Sequence, residues 1–346
     1  MGDTRLGRVL VPFFVVLLAL TAWTFGPRLG AGAAHASHPK ARVIALLSPG
    51  KRPEPVIVDA SRHRVYIGTE TGGTVTVVDD RTNRMLKSIR VGREVEDLVL
   101  DRATGTLYAT SSVVSRLSVI DTSTLRVAAI VKNLKDAAGA ALDPSRRRIY
   151  VAEQNANAIA VVDTAGPKVV ATLSVPGRPQ GIGVDPALHR VFVGLFARHR
   201  VDVIDELSDR VVGSVQVGNQ PVHPFRVDAA AHRLYVVNSG SSSLSVVDTR
   251  SLRVVRSLGT GLYPEGLDIR PCRNRAYVSD EGDPGTDRNS GHTASVIDLR
   301  SGRIIDTLPT LRGPDGIADD PQTGAVYVSD EDPGRVTVIR LPPRDR

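Results

Sequence analysis

Carboxylates are the residues of this chain whose grouping could do chemistry. Asp280-Glu281 and Asp330-Glu331 are adjacent acidic pairs, Thr69-Glu70 is half acidic, and Glu54, Glu96, Glu265 and Asp315 each stand at the mouth of a short apolar run. Carboxylates brought together can bind a cation, hold a basic partner, or act as general acid and base. The loop SDEGDPGTDRNSGHT, residues 279–293, adds Asp283, Asp287 and Asn289, which are hard oxygen donors of the kind Ca²⁺ takes, without EF-hand spacing. Asp280, Asp283 and Asp287 are therefore the candidate metal ligands, and Ca²⁺ or another divalent cation is the one candidate cofactor. The plainer reading of such a Gly/Pro/Asp loop is a solvated turn.

Other reactive groups are sparse. The turn ARHR supplies Arg198, His199 and Arg200, His223 stands in PVHPF, and Gln180 follows Pro179. No His-x-x-x-His or similar metal spacing links the histidines, and His63, His189 and His232 fall in turns where surface positions are expected. The single cysteine, Cys272, allows no intrachain disulfide and no Cys-x-x-Cys-His haem site. There is no Gly-x-Ser-x-Gly elbow, no phosphate loop, and no catalytic cysteine with a paired histidine, so no residue is assigned a catalytic role.

The elements that must position these groups are read from one stretch. YVVNSGSSSLSVVDT, residues 235–249, is an apolar strand, a Gly/Ser turn and an alternating strand ending on Asp. The same hairpin recurs as RVYIGTETGGTVTVVDD, RIYVAEQNANAIAVVDT and RVFVGLFARHRVDVIDE. Its aromatic anchors are Tyr66, Tyr108, Tyr150, Phe192, Tyr235, Tyr277 and Tyr327, spaced 42, 42, 42, 43, 42 and 50 apart. Another short strand precedes each anchor and a fourth follows each hairpin, which predicts an all-β, seven-bladed propeller of four antiparallel strands per blade. RVIALLSPG, residues 42–50, aligns with RMLKSIRVG at an offset of 42, while the last unit lacks a fourth strand. The N-terminal strand is expected to complete blade seven and close the ring.

The chain divides at residue 36. Arg5 and Arg8 precede an apolar run over residues 9–25, followed by small residues and AHAS, the pattern of a secretory signal peptide cleaved after Ala36. An uncleaved membrane anchor is the alternative, and through this segment alone would the protein touch a membrane. Residues 37–346 form one domain, expected to be a monomer in a periplasmic, extracellular or cell-surface location. The formal charge of +7 loses Arg5, Arg8, Arg28 and Asp3 on cleavage, three positive charges and one negative, leaving +5, a mild excess.

The repeated YVVNSGSSSLSVVDT pattern resembles the YVTN-type repeat of bacterial exported seven-bladed β-propellers, over residues 40–342. The resemblance implies the fold; members of that group include binding proteins, surface proteins and propeller parts of redox enzymes, so the function it implies is broad. The streptogramin lyases share the fold, but their closely spaced His and Glu catalytic residues find no counterpart.

Superposing the units separates scaffold from site. An Arg two residues before most anchors, and Asp79, Asp121, Asp163, Asp205, Asp248 and Asp298 ending the third strand, are expected cross-strand neighbours. Asp59, Asp101, Asp143, Asp185, Asp228 and Asp320 should cap the turn after the first strand. The variable positions on the opposite face are Glu54, Glu96, Ala138, Gln180, His223, Glu265 and Asp315 at the mouth, with the pairs after strand two. Blades six, seven and one thus gather Glu265, Asp280, Glu281, Asp315, Asp330, Glu331, Glu54 and Glu70 into an acidic sector, with Arg198, Arg200 and His223 opposite. In the first-strand column of Ile57, Val99, Ala141, Gly183 and Ala318, blades five and six carry Arg226 and Asp268, an expected ion pair at the channel.

These positions point to a non-enzymatic exported ring that binds an unidentified small molecule or protein over one channel mouth. The alternative is a metal-dependent, lactonase-like hydrolase using Glu54, Glu265, Asp315 and His223 around a cation. Single-stranded nucleic acid is disfavoured as a partner, because Phe196, Phe225 and Tyr263 are the only aromatics after residue 36 outside the anchor column.

Overall fold

The computed structural model describes residues 41–282 and 292–342. The proposed signal segment, Asp283 and Asp287 lie outside the described residues. The seven four-stranded antiparallel sheets follow the sequence repeat blade by blade. Blade one is built from Pro53–Asp59, Arg64–Thr69, Thr74–Asp79 and Arg84–Arg90, running from the channel outward.

Closure follows the expectation from the offset of 42. Arg42–Leu47 pairs antiparallel with Arg335–Arg340, with Arg42 opposite Arg340, Val43 opposite Ile339 and Leu47 opposite Val336. It is the outer strand of the sheet whose inner strands are Pro314–Asp320 and Ala325–Asp330. The two ends of the domain thus share one blade, so no inner edge is left open.

The anchors hold the ring by packing each blade on the next. Tyr66 is buried with Leu98 and Leu107 of blade two, Tyr108 with Ile149 and Val151 of blade three, and Tyr327 with Val56 and Val65 of blade one. Removing such a buried aromatic costs about 3–5 kcal/mol.

The polar columns divide their work. Asp59, Asp101, Asp143, Asp228 and Asp320 accept backbone N–H groups of the turn that follows, at 2.8–3.3 Å. The Arg and Asp columns are in cross-strand register, but among the described residues the two columns form ion pairs only at Arg233–Asp248 and Arg275–Asp298, each 2.5 Å. Arg64 and Arg190 instead donate to the Thr122 and Thr249 carbonyls of the next blade. The third-strand aspartates chiefly cap their own turns; Asp79 takes the Arg81 and Thr82 N–H groups at 3.1 and 2.8 Å. Of the histidines in the inner turns, His189 is exposed, as expected, while His63 and His232 are half-buried; His63 Nδ1 lies 3.1 Å from Asp80, and His63 takes a left-handed φ of 53°.

Blade five departs from the repeat. Its inner strand is only Arg226–Asp228: Pro221 still bridges Asn238, as Pro179 pairs with Leu195, but Pro224 removes an N–H donor from the segment between them.

Candidate functional site

The second residue of each inner strand reaches the channel mouth, and this places Glu54, Glu96, Gln180, Glu265 and Asp315 around one opening. His223 takes the equivalent place in blade five. These side chains are half-buried rather than free on loop tips. His223 Nε2 approaches Glu96 Oε2 to 3.9 Å from the far side of the ring, and Ser112 Oγ donates to Glu96 at 2.7 Å. Asp315, His223, Pro224 and Arg226 line the remaining space, a void of about 20 Å³, which is room for one water. The mouth is stoppered.

The carboxyls there share too little positive charge. Burial first, then Asp315, Glu96 and Glu331, hold Glu54 far above the ordinary carboxyl range. Burial, Glu331 and Glu265 push Asp315 up in the same direction. Burial raises Glu265 to about 7, despite the 2.7 Å hydrogen bond from Ser239. Glu281 and Glu331 are also raised, burial being the larger cause. The principal countercharge is Arg52, whose Nη2 lies 2.8 Å from Glu331 and whose Nε contacts Glu70. Sequence superposition did not single out Arg52, because it precedes the repeated strand.

Two acidic residues of the expected sector point elsewhere. Asp280 is fully buried, accepting from Gly261 N at 2.9 Å and Ser295 Oγ at 2.6 Å. Asp330 does the same with Leu311 N at 2.9 Å and Thr337 Oγ1 at 2.5 Å. Both staple the loop entering their own blade, and burial raises each to about 6. In the basic turn, Arg200 Nε pairs with Asp202 at 2.8 Å, while the exposed Arg198 lies against Gly177. Neither borders the mouth void. Among the described residues, no group of three His, Cys, Asp or Glu side chains is placed to hold a metal ion.

Below the mouth the channel carries charges that pair across blades. Arg226 Nε lies 3.5 Å from Asp268 Oδ1, as the column argument expects. Asp268 also accepts Ile269 N and, from blade seven, Asp319 N, both at 2.9 Å. Asp97 makes the matching contact from blade two to Ala140 N of blade three at 2.9 Å. Arg270 and Asp319 form a buried pair at 2.6 Å. Burial lifts Asp319 to about 7 while Arg270 pulls it down.

Fold and mouth together define a seven-bladed β-propeller with an acid-lined, closed channel entrance. The chain is similar to the structure of Kuenenia stuttgartiensis hydrazine synthase, with a TM-score of 0.71 and 19% identity over 90% of this chain and 99% of that one. It is also similar to the Cps50 (Swd1) β-propeller domain of Myceliophteria thermophila, with a TM-score of 0.73 and 13% identity over 87% of this chain and 99% of that one. At these identities the likeness is one of fold alone. No family model and no curated protein matches the chain.

Proposed function

We propose that this protein is an exported, non-enzymatic ring of the YVTN-repeat type that binds a cationic ligand or a basic segment of a protein partner over its acid-lined mouth. The observation that carries the reading is the convergence of Glu54, Asp315, Glu265 and Glu331 with Arg52 as principal countercharge. Crowded carboxylates raise one another's pKa and cost stability, and a bound positive charge relieves both. A scaffold alone would not need the arrangement, since the mouth position tolerates Ala138 in blade three. The acidic entrance also disfavours a nucleic-acid strand there.

The test is thermal unfolding with spermidine, a Lys-rich peptide and Ca²⁺ at low and high salt. Spermidine or the peptide should raise Tm, less so at high salt, and the Glu54→Gln/Asp315→Asn variant should lose that response while remaining folded. An unchanged Tm, or an equal shift in the variant, would overturn the reading. Stabilisation by Ca²⁺ alone, together with ester or lactone hydrolysis, would replace it with the hydrolase alternative.

A further inference from the structure

The channel does not end at its stoppered mouth. Beneath it lies a chamber of about 400 Å³ with walls of Ile57, Val58, Val227, Ile269 and Ala318. Ala60, Arg102 and Pro321, from the turns after the inner strands, also border it, so it belongs to the face opposite the carboxyl mouth. A recess of about 240 Å³ beside it shares Ile57, Arg226 and Val227, and Gly183 there contributes no side chain. Arg226 borders the mouth void, the chamber and the recess alike.

The polar groups of the chamber are unequal in what they have left to give. Asp268 is committed, with Arg226 at 3.5 Å and two backbone N–H groups at 2.9 Å. Asp319 is paired with Arg270 at 2.6 Å through Oδ2, while its Oδ1 is buried without a hydrogen-bond partner among the described residues. Arg226 uses Nε on Asp268 and Nη1 on the Phe225 carbonyl at 3.3 Å, leaving Nη2 without a hydrogen bond among the described residues. Arg102, near the entrance, spends one Nη2 contact on the Val58 carbonyl at 2.9 Å. On Arg226 and Arg102 the spare capacity is therefore donor capacity on guanidinium, beside apolar wall. That combination suits a carboxylate on a short apolar body, the planar anion meeting the guanidinium edge and the tail replacing water along the wall.

We infer that this chamber is a second binding site, for a small organic carboxylate with an apolar tail, seated on Arg226 and entered from the face opposite the mouth. Asp268 is its positioning residue, holding the guanidinium in place. At about 30 Å³ for a water-sized group, the chamber takes a body of roughly a dozen non-hydrogen atoms, a size that octanoate matches. The site is independent of the carboxyl mouth, and either can fail without the other.

The experiment compares octanoate, octanol and octylammonium on the full chain by isothermal titration and thermal shift. Octanoate should bind and raise Tm, with an affinity about 10- to 100-fold above that of octanol, the worth of one hydrogen bond to a charged group. Arg226→Met combined with Asp268→Leu removes the charges as a unit and should erase the preference. Ala318→Phe leaves Arg226 in place, fills the chamber and should abolish binding of both octanoate and octanol. The comparison of the three probes on the unaltered protein stands even if a variant fails to fold. Equal affinity for octanoate and octanol, tighter binding of octylammonium, no binding at all, or octanoate binding that survives Ala318→Phe would each show a solvent channel and overturn the assignment.

Discussion

His223 of blade five and Glu96 of blade two meet across the channel, Nε2 to Oε2 at 3.9 Å, although their blades lie on opposite sides of the ring. The contact spans the mouth of the channel. The side chains are 20% and 25% exposed and stand 3.9 Å apart, so the contact itself contributes about 0–1 kcal/mol. His223→Ala should cost less than about 1 kcal/mol in denaturant unfolding. A loss as large as that of a core truncation, about 3 kcal/mol, would mean that the contact is part of what holds the ring closed.

The pH dependence has a definite sign. Glu265 is raised from 4.5 to about 7, so between those values the folded state holds a proton that the unfolded state has released. Its contribution to stability is intact below about 4.5 and declines as pH rises toward 7. The turn caps work the other way: hydrogen bonds lower Asp248 and Asp298 to about 2, and their contribution is lost as pH falls from 3.8 toward 2. Stability should therefore be greatest in mildly acid solution and decline toward neutrality. Glu265→Gln should flatten the upper slope in urea titrations run at several pH values, and an unchanged slope would assign the decline to other carboxyls.

Closure by the N-terminal strand can be tested by removing it. A chain beginning at Lys51 lacks the outer strand of blade seven and exposes the unpaired edge of Arg335–Arg340. It should aggregate or unfold at much lower temperature, since an open apolar edge recruits other chains. Leu47→Ala, milder because the side chain is 7% exposed at the ring's rim, should cost about 2 kcal/mol. A truncated chain as stable and monomeric as the full one would refute the role of this strand.

Much of this architecture was legible because one repeat states it seven times. A buried anchor must recur at every blade interface, and a closing strand must match the strands it imitates, so both appear as columns. The Arg226–Asp268 pair was legible for the opposite reason, as two charges interrupting an apolar column. Applied one residue further, the same test would have found Asp319 in the column of Val58, Leu100 and Val184, and Arg270 in the column of turn-capping aspartates. Asp97, among glycines and prolines, carried the same signal. Asp280 and Asp330 were misplaced because an aspartate after strand two reads alike whether it faces the mouth or turns back on its own blade. Only the nearby N–H groups of Gly261 and Leu311 decide the matter, and loop conformation sets their position.

The buried Arg270–Asp319 pair makes the sharpest stability prediction. Its side chains are 7% and 4% exposed, and its contact is 2.6 Å. Removing one partner leaves a buried ion uncompensated, so Arg270→Ala should cost about 3–5 kcal/mol. Replacing both with apolar residues, Arg270→Met and Asp319→Leu, restores the residue type other blades use at position 319 and should cost far less than either single change. The channel pair should behave differently, because Asp268 has other obligations. Arg226→Ala removes one 3.5 Å contact between half-exposed groups, whereas Asp268→Ala also strands the N–H groups of Ile269 and Asp319. Asp268→Ala should therefore be the more destabilising, by about 1–3 kcal/mol for the unsatisfied donors. A double-mutant cycle at each pair decides it: strong coupling is expected at Arg270–Asp319 and weaker coupling at Arg226–Asp268. Additive losses at Arg270–Asp319, or equal costs for Arg226→Ala and Asp268→Ala, would contradict these assignments.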